Sequence, residues 1–164
     1  MLKKIAFLFF ISFSSITLFA QETKLYNPDA DAAKDIAQAV AKAKAEHKFV
    51  LIQGGGNWCK WCLEFARFAK ADPQIDSVIT NCYVIYHLNY SEENKNHDEY
   101  SKLGYPQRFG YPVFVILNGD GERIHTQNSE YLENGKGSYD KNKVQSFLEM
   151  WSPHALDPHV WGDK

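Results

Sequence analysis

Apolar residues recur with two different periods along the first half of the chain. Between residues 29 and 47, Ile36, Val40 and Ala43 follow one another at steps of three and four, which predicts an amphipathic helix with its lysines in solvent. The unbroken apolar run Phe49–Ile52 comes next, and its length favours a buried central strand. The first unit that the pattern predicts is therefore a helix packed on a sheet.

The next part of the chain predicts a second helix and a second strand. Gly54–Gly56 is expected to let the backbone turn sharply. Residues 58–71 then carry apolar positions at helical spacing until a proline stops them, and a short helix is expected over residues 74–80. Cys82–Leu88 is rich in β-branched and aromatic residues, which predicts the second central strand.

The remaining sequence predicts a hairpin of strands followed by a helix. Asn118–Gly121 carries the glycine pattern of a hairpin turn. The predicted elements here are a loop (89–97), a short helix (98–103), a strand (113–117), an edge strand (122–125), a loop (126–139) and a helix (140–151). The whole order predicts an α/β fold with a central four-stranded mixed sheet flanked by helices, with the parallel crossovers first and the antiparallel hairpin last.

The first 20 residues predict a secretory signal rather than a part of the fold. Lys3 and Lys4 precede the apolar run Ile5–Ile11, and Ala20 precedes a polar stretch, which is the arrangement of a cleaved signal peptide. The alternative, a membrane anchor, needs about 20 apolar residues, whereas hydroxyl residues interrupt this run. We expect cleavage after Ala20 and export to a compartment in which disulfides persist.

The rest of the chain divides into a lead-in (21–29), one domain (30–152) and a C-terminal tail (153–164). A length of 164 residues fits a single hydrophobic core. The formal net charge of -2 gives no indication that a nucleic acid is a partner.

Two of the three cysteines, Cys59 and Cys62, are separated by two residues, at the point where the first predicted strand ends and a helix begins. A Cys-x-x-Cys in this place indicates a redox-active pair. Cys59 is the expected nucleophile, because the N-terminus of a helix favours the thiolate over the thiol. Cys62, one turn deeper, is expected to resolve the mixed disulfide. Cys82 is expected to be a small apolar residue in a buried strand.

Two other interpretations of the Cys59–Cys62 pair stay open. A zinc site needs two further ligands at matching spacing, but Cys82 stands alone and the six histidines are scattered. A permanently closed structural disulfide would stabilise the fold little, because the loop that it closes is very small. We therefore expect no metal, and no cofactor other than a redox-active Cys59–Cys62 disulfide.

The chain resembles the thioredoxin superfamily over residues 30–152. The resemblance rests on Trp58–Cys62 at a helix start after an apolar strand, on Tyr111-Pro112 opening the third strand, and on the hairpin with its closing helix. The chain is most similar to exported thioredoxin-like thiol–disulfide oxidoreductases of Gram-negative bacteria. This similarity implies a periplasmic reductase of protein disulfides that serves cell redox homeostasis and depends on a membrane electron donor. A thioredoxin-fold protein-binding module with a non-catalytic disulfide is the alternative.

The resemblance also implies a binding surface around the thiols. Pro112 is expected to follow a cis peptide bond and to face the cysteines, which would leave the main chain of Tyr111 free to pair with a peptide. The alternative role for Pro112 is to make a strand start rigid. Trp58 and Trp61 are expected to be partly exposed platforms for a peptide or a protein partner. Packing of the loop against the sheet is their alternative role, above all for Trp58.

Gln53 is a departure from the family pattern. It stands six residues before Cys59, where many thioredoxins carry a buried acid that helps to move the proton of the resolving cysteine. Glutamine forms hydrogen bonds but does not titrate, so Cys62 would depend on water or on another group such as Glu64. The alternative is that Gln53 is a polar core residue whose hydrogen bonds are satisfied.

Overall fold

A computed structural model describes residues 24–162. The predicted signal peptide (1–20) lies outside these residues and stays a prediction. The helices are α1 (Ala32–Ala45), α2 (Lys60–Ala71), α3 (Pro73–Cys82), α4 (His97–Lys102) and α5 (Lys141–Met150). The strands are β1 (Phe49–Gly55), β2 (Tyr83–Asn89), β3 (Val113–Leu117) and β4 (Arg123–Asn128). Short 3-10 segments cover Pro106–Phe109, Ser129–Leu132 and Pro158–Trp161.

Strand β1 lies inside a mixed sheet with the order β2-β1-β3-β4. It pairs in parallel with β2 and antiparallel with β3, and β3 pairs antiparallel with β4. Helices α2 and α3 form the crossover between the two parallel strands, which a short turn could not provide. The predicted four-stranded mixed sheet flanked by helices is therefore confirmed.

Two apolar layers cover the faces of the sheet, because successive side chains of a strand point to opposite faces. On one face, Val50 and Ile52 of β1 pack with Ala39 and Ala43 of α1. The other face packs against α2, α3 and α5, and its fully buried members include Leu51, Phe65, Ile75, Phe114, Ile116, Val144 and Leu148. Full burial of one Leu- or Phe-sized side chain contributes about 1.5–3 kcal/mol, so this second layer holds α2 firmly against the sheet.

Aspartate side chains set the starts of three helices. Asp31, Asp72 and Asp140 accept hydrogen bonds from backbone N–H groups in the first turns of α1, α3 and α5. Each such cap is worth about 1 kcal/mol. Helix α1 is therefore shorter than the predicted span of residues 29–47, and at its other end His47 leaves the helical region with a φ of 56°.

Several strand boundaries differ from the prediction, among them the start of β2 and the end of β4. Cys82 is the last residue of α3, because the backbone N–H of Tyr83 still donates to the carbonyl oxygen of Ile79. Cys82 is consequently half-buried at a helix end instead of lying within the sheet. Strand β4 continues to Asn128, beyond the predicted residue 125, since Asn128 pairs with Val113 across the hairpin.

The predicted glycine turn is also wrong. Gly54 and Gly55 are the last two residues of β1 and pair with the end of β2. A Cβ atom on Gly54 would lie 2.9 Å from the hydroxyl oxygen of Tyr100, so glycine is needed there for close approach. The chain turns only after Gly56, whose carbonyl oxygen accepts a hydrogen bond of 3.0 Å from the N–H of Cys59.

Candidate active site

Cys59 and Cys62 form a disulfide at the start of α2, with their sulfur atoms 2.08 Å apart. Helix α2 begins at Lys60 rather than at the predicted Trp58, because Cys59 has an extended backbone and acts as the N-cap. The sulfur of Cys59 accepts a hydrogen bond of 3.1 Å from the backbone N–H of Cys62. The helix therefore aims a donor at the atom that would carry the charge of a Cys59 thiolate.

The two cysteines differ in exposure. Cys59 keeps 5% of its surface exposed, whereas Cys62 is completely buried against the end of β1. Of the two cysteines, only Cys59 therefore offers any surface to a substrate disulfide. This order of exposure agrees with the expectation that Cys62 lies one turn deeper than Cys59.

Glu64 is poorly suited to take the proton of Cys62. The first turn of α2 carries no acidic residue, so the nearest carboxylate along the helix is that of Glu64. Ser138 and Arg67 both donate hydrogen bonds to this carboxylate, and they hold the pKa of Glu64 below its ordinary value, Ser138 more than Arg67. A carboxylate engaged in this way is a weak proton acceptor.

The side chain of Gln53 is fully buried and contacts the resolving cysteine. Its Nε2 donates a hydrogen bond of 2.8 Å to the carbonyl oxygen of Cys62. Its Oε1 has no hydrogen-bond partner among the described residues. Only the amide nitrogen of Gln53 therefore has a hydrogen-bond partner, so the side chain is not a fully satisfied polar core residue. Gln53 holds the backbone of Cys62 but has no group that could take its proton.

Trp58 and Trp61 take different positions beside the disulfide. Trp58 is 57% exposed, and its Nε1 donates a hydrogen bond of 2.7 Å to the carbonyl oxygen of Tyr90. Trp61 is half-buried and meets the ring of Tyr139 edge-on, with 5.4 Å between the ring centroids. Trp58 is thus anchored and exposed, while Trp61 mainly packs.

The peptide bond between Tyr111 and Pro112 is cis, as the resemblance implies. Tyr111 packs against the disulfide cysteines, and its ring meets Trp58 edge-on at 5.5 Å between centroids. Pro112 is buried directly before β3. The fold therefore brings Tyr111 and Trp58 together around the disulfide, and a role for these residues in substrate binding stays a prediction.

Tyr26 is a residue of this site that the sequence pattern does not reveal. It belongs to the predicted polar lead-in, yet it is fully buried in one cluster with Cys59 and Cys62. Its N–H donates to Oδ1 of Asn57 at 3.1 Å, and Nδ2 of Asn57 donates to its carbonyl oxygen at 2.7 Å. This double hydrogen bond ties the lead-in to the loop in front of Cys59. An aromatic residue within a polar stretch is the one signal that could have suggested it.

His87 on β2 lies next to both Gln53 and Tyr26. It is the register partner of Gln53, and its ring meets Tyr26 edge-on at 5.5 Å between centroids. Burial lowers the pKa of His87 to about 4, so its imidazole is neutral at pH 7. Gln53 and Tyr26 adjoin Cys62, and His87 adjoins both of them. These three uncharged side chains, Tyr26, Gln53 and His87, are called the buried polar cluster.

An open groove of about 550 Å³ adjoins Trp58. Its lining residues are Trp58, Tyr90, Ser91, Glu92, Glu93 and Lys95. Since Trp58 also contacts Tyr111 next to the disulfide, the groove extends the surface around Cys59 along the loop that follows β2. Aromatic, acidic and basic groups in one groove suit a polypeptide better than a small apolar molecule.

Three further observations concern the residues that the structure describes. Within residues 24–162, no group of three or more His, Cys, Asp and Glu side chains is placed to hold a metal ion. No helix in the same range has the length and apolar character to cross a membrane. Cys82 is a free thiol at the end of α3, and burial raises its pKa.

Comparisons with known proteins agree with this geometry. The model of a protein family described as thioredoxin-like matches residues 31–119. A search of curated proteins finds no match. Among solved structures, the chain is similar to a disulphide isomerase from Xylella fastidiosa Temecula1, with a TM-score of 0.66 and 23% sequence identity. That similarity covers 76% of this chain and 93% of the other.

Two more solved structures share the same arrangement of strands and helices. The C-terminal domain of DsbD from Neisseria meningitidis, in its oxidised form, matches with a TM-score of 0.50 and 20% identity over 74% of this chain and 96% of that domain. A thioredoxin from Thermus thermophilus matches with a TM-score of 0.50 and 17% identity over 77% of this chain and 88% of the other. At these identities the likeness shows the fold.

Proposed function

The chain belongs to the thioredoxin-like family, and from this premise we propose that it reduces disulfides of exported proteins through Cys59 and Cys62. As a thioredoxin-like thiol–disulfide oxidoreductase, it exchanges its own disulfide against one in a partner. The observation that carries the proposal is the asymmetry of the pair. Cys59 caps a helix and keeps 5% of its surface exposed, whereas Cys62 is completely buried within one turn of it.

The proposed cycle begins with both cysteines reduced. The Cys59 thiolate attacks one sulfur of a substrate disulfide, so that a mixed disulfide forms and the other substrate sulfur leaves as a thiolate. Cys62 then loses its proton and attacks the sulfur of Cys59. The mixed disulfide breaks, and the second substrate sulfur leaves as a thiolate. The substrate has gained two electrons, and Cys59 and Cys62 are left oxidised as a disulfide.

The reducing direction is supported by the resemblance to exported thioredoxin-like proteins. With the first 20 residues acting as a cleaved signal peptide, the protein works in the periplasm, where disulfides persist. Each turnover leaves Cys59–Cys62 oxidised. A membrane electron donor must therefore deliver two electrons to reopen the pair, and its activity ties the protein to cell redox homeostasis.

The surface around Cys59 supports a protein substrate. Trp58 offers an exposed indole that a hydrogen bond to Tyr90 holds in place. Tyr111 and Pro112 lie beside it, where the main chain of Tyr111 would pair with an extended peptide. Anchored aromatic side chains contribute strongly to protein interfaces, because they bury much area at a low cost in side-chain entropy.

Trapping of mixed disulfides tests the assignment of roles. Cys62→Ser removes the resolving thiol, so covalent complexes through Cys59 should accumulate with oxidised periplasmic proteins. Cys59→Ser should trap none, because the buried sulfur of Cys62 cannot reach a substrate. Both variants are made with Cys82→Ala, so that the free thiol adds no complexes of its own, and complexes are counted on non-reducing gels.

A binding module with a non-catalytic disulfide is the second candidate function. The specific observation in its favour is the exposed Trp58 at the mouth of the groove, which would serve a partner without any redox step. In that case neither cysteine variant traps partners. Equal trapping by both variants would instead contradict the separate roles of Cys59 and Cys62.

A further inference from the structure

We propose that the Tyr26 hydroxyl donates a hydrogen bond to the sulfur of Cys62 once the disulfide opens, and thereby stabilises the resolving thiolate. This inference rests on the proposed cycle, in which Cys62 must become a thiolate while it is buried. It assigns to a residue of the lead-in the support for Cys62 that Gln53 cannot give by titration.

The Tyr26 hydroxyl lies close to the sulfur of Cys62. Tyr26 is fully buried and shares one packed cluster with Cys59 and Cys62. The Tyr26 hydroxyl oxygen and the Cys62 sulfur both lie over Gly55 at the end of β1. A Cβ atom on Gly55 would collide with the sulfur and would lie 2.9 Å from the hydroxyl oxygen. The two groups are therefore neighbours above the same backbone atom.

The Tyr26 hydroxyl is buried, and its hydrogen bonding is incomplete while the disulfide is closed. Within residues 24–162 no group meets the distance and angle of a full hydrogen bond to it, although the Gln53 amide lies close enough to lower the Tyr26 pKa. Buried polar groups nearly always have a partner, and an unmade hydrogen bond destabilises the state in which it is unmade. A thiolate is a much stronger acceptor than the sulfur of a disulfide. Opening of the disulfide thus creates a strong, charged acceptor next to the hydroxyl.

The surroundings of the Tyr26 hydroxyl favour its role as a hydrogen-bond donor. Burial raises the pKa of Tyr26 far above its ordinary value, and the neighbouring Gln53 amide offsets only part of this effect. Tyr26 therefore keeps its proton and acts as a donor rather than as a base. Gln53 has already given an N–H to the carbonyl oxygen of Cys62, and His87 is neutral at pH 7. No cation in the buried polar cluster could stabilise the thiolate instead.

The proposed step adds no reactant to the cycle. The Cys62 thiol releases its proton to solvent, and its sulfur accepts the O–H of Tyr26. The thiolate then attacks the sulfur of Cys59, the substrate thiolate leaves, and solvent returns a proton to it. The hydrogen bond from Tyr26 is lost when Cys59–Cys62 closes, which restores the arrangement in the structure.

Dithiobis-nitrobenzoate separates the two chemical steps, because each step releases one coloured thiolate. The reduced protein, with Cys82→Ala, releases the first when Cys59 attacks the reagent and the second when Cys62 resolves the mixed disulfide. With Tyr26→Phe, the first rate should stay within twofold of the parent. The second should fall about tenfold, and the pKa in its pH profile should rise by about one unit.

Tyr83→Phe is the matched control. Tyr83 is also a buried tyrosine, but its hydroxyl donates a hydrogen bond of 2.6 Å to the carbonyl oxygen of Leu148, on the face that packs α5. Its loss should leave both rates unchanged. The oxidised Tyr26→Phe variant should melt no lower than the parent, since it loses a hydroxyl without a partner, whereas Tyr83→Phe should melt lower.

The experiment distinguishes a failure of the role of Tyr26 from a failure of the proposed cycle. An unchanged second rate and pH profile in a folded Tyr26→Phe variant overturn the role of Tyr26 and leave the cycle intact. Slowing of the second step to the same extent by Tyr83→Phe overturns it too, because the effect would then be a general loss of packing. If the parent itself releases no second thiolate, the proposed cycle fails and the inference fails with it.

Discussion

The amide nitrogen of Gln53 donates a hydrogen bond of 2.8 Å to the carbonyl oxygen of Cys62, inside the fully buried layer between β1 and α2. A side chain of the sheet thereby holds the backbone of the resolving cysteine. Gln53 stands where many thioredoxins have a buried acid, yet it contributes an anchor instead of a base. The hydrogen bond affects the stability of α2, and the missing base affects how Cys62 loses its proton. These two effects can be measured separately.

Gln53→Met should destabilise the oxidised protein by about 1 kcal/mol. Methionine has a similar volume, so the change removes the hydrogen bond without opening a large cavity. The free energy of unfolding in urea measures the effect. The control is Gln38→Met on the exposed face of α1, which should be neutral. Equal stabilities of the two variants would show that the hydrogen bond to Cys62 contributes nothing.

Gly55→Ala should lower stability by about 1–3 kcal/mol, because the added methyl group would press on the Cys62 sulfur and on the Tyr26 hydroxyl. Gly119→Ala is the matched control, since its Cβ would come no closer than 3.8 Å to its nearest neighbour, Lys44. Urea unfolding of the oxidised proteins compares the two. A Gly55→Ala variant as stable as Gly119→Ala would mean that the contact above Gly55 is loose.

The stability of the folded protein should fall as the pH drops from about 6.5 to about 4. Burial lowers the pKa of His87 from 6.5 to about 4, so the unfolded chain binds a proton in this range that the folded protein does not. The loss should amount to at most about 3 kcal/mol.

Urea unfolding at pH 7 and at pH 4.5 measures this loss, and His87→Gln provides the reference. The variant cannot titrate at this position, so its free energy of unfolding should change less between the two pH values. Burial also lowers the pKa of His125, but that residue is present in both proteins and cancels in the comparison. A parent and a variant with the same pH dependence would contradict the burial of a neutral His87.

Trp58→Ala should reduce kcat/KM for a disulfide in a protein substrate by about five- to tenfold. The rate with a small aromatic disulfide should change little, because that reagent does not need the groove. Trp161→Ala is the control, since Trp161 is 74% exposed in the C-terminal tail. If Trp58→Ala slows both substrates equally, Trp58 supports the disulfide rather than the binding of a polypeptide.

Much of the fold follows from local patterns in the sequence. The apolar run of β1 and the apolar strand β3 lie where the sequence predicts strands, because both are buried on both faces, although β1 continues beyond the run to Gly55. The boundary at Cys82 is different. The residues Cys82 and Tyr83 suit a strand by composition, but a continuing backbone hydrogen bond keeps Cys82 in α3. Such a bond depends on the helix before it and leaves no local signature.

Some residues of the site can likewise be predicted from the local sequence, and others cannot. Cys59, Cys62 and Gln53 follow from spacing along one stretch of chain. Tyr26 joins them only because the lead-in packs over Gly55, and His87 only because β2 pairs with β1. No periodic pattern in the sequence indicates either contact. The glycines after β1 show the same limit, because the sequence cannot distinguish a glycine that turns from one that lets a sulfur approach.

The equilibrium redox potential of the Cys59–Cys62 disulfide, measured in the mature domain against a glutathione buffer, tests the central claim most directly. A redox-active pair predicts a potential between about −270 and −120 mV, the range of thioredoxin-like proteins that exchange disulfides. A disulfide that stays closed well below about −300 mV would contradict the proposed cycle, because structural disulfides behave in this way.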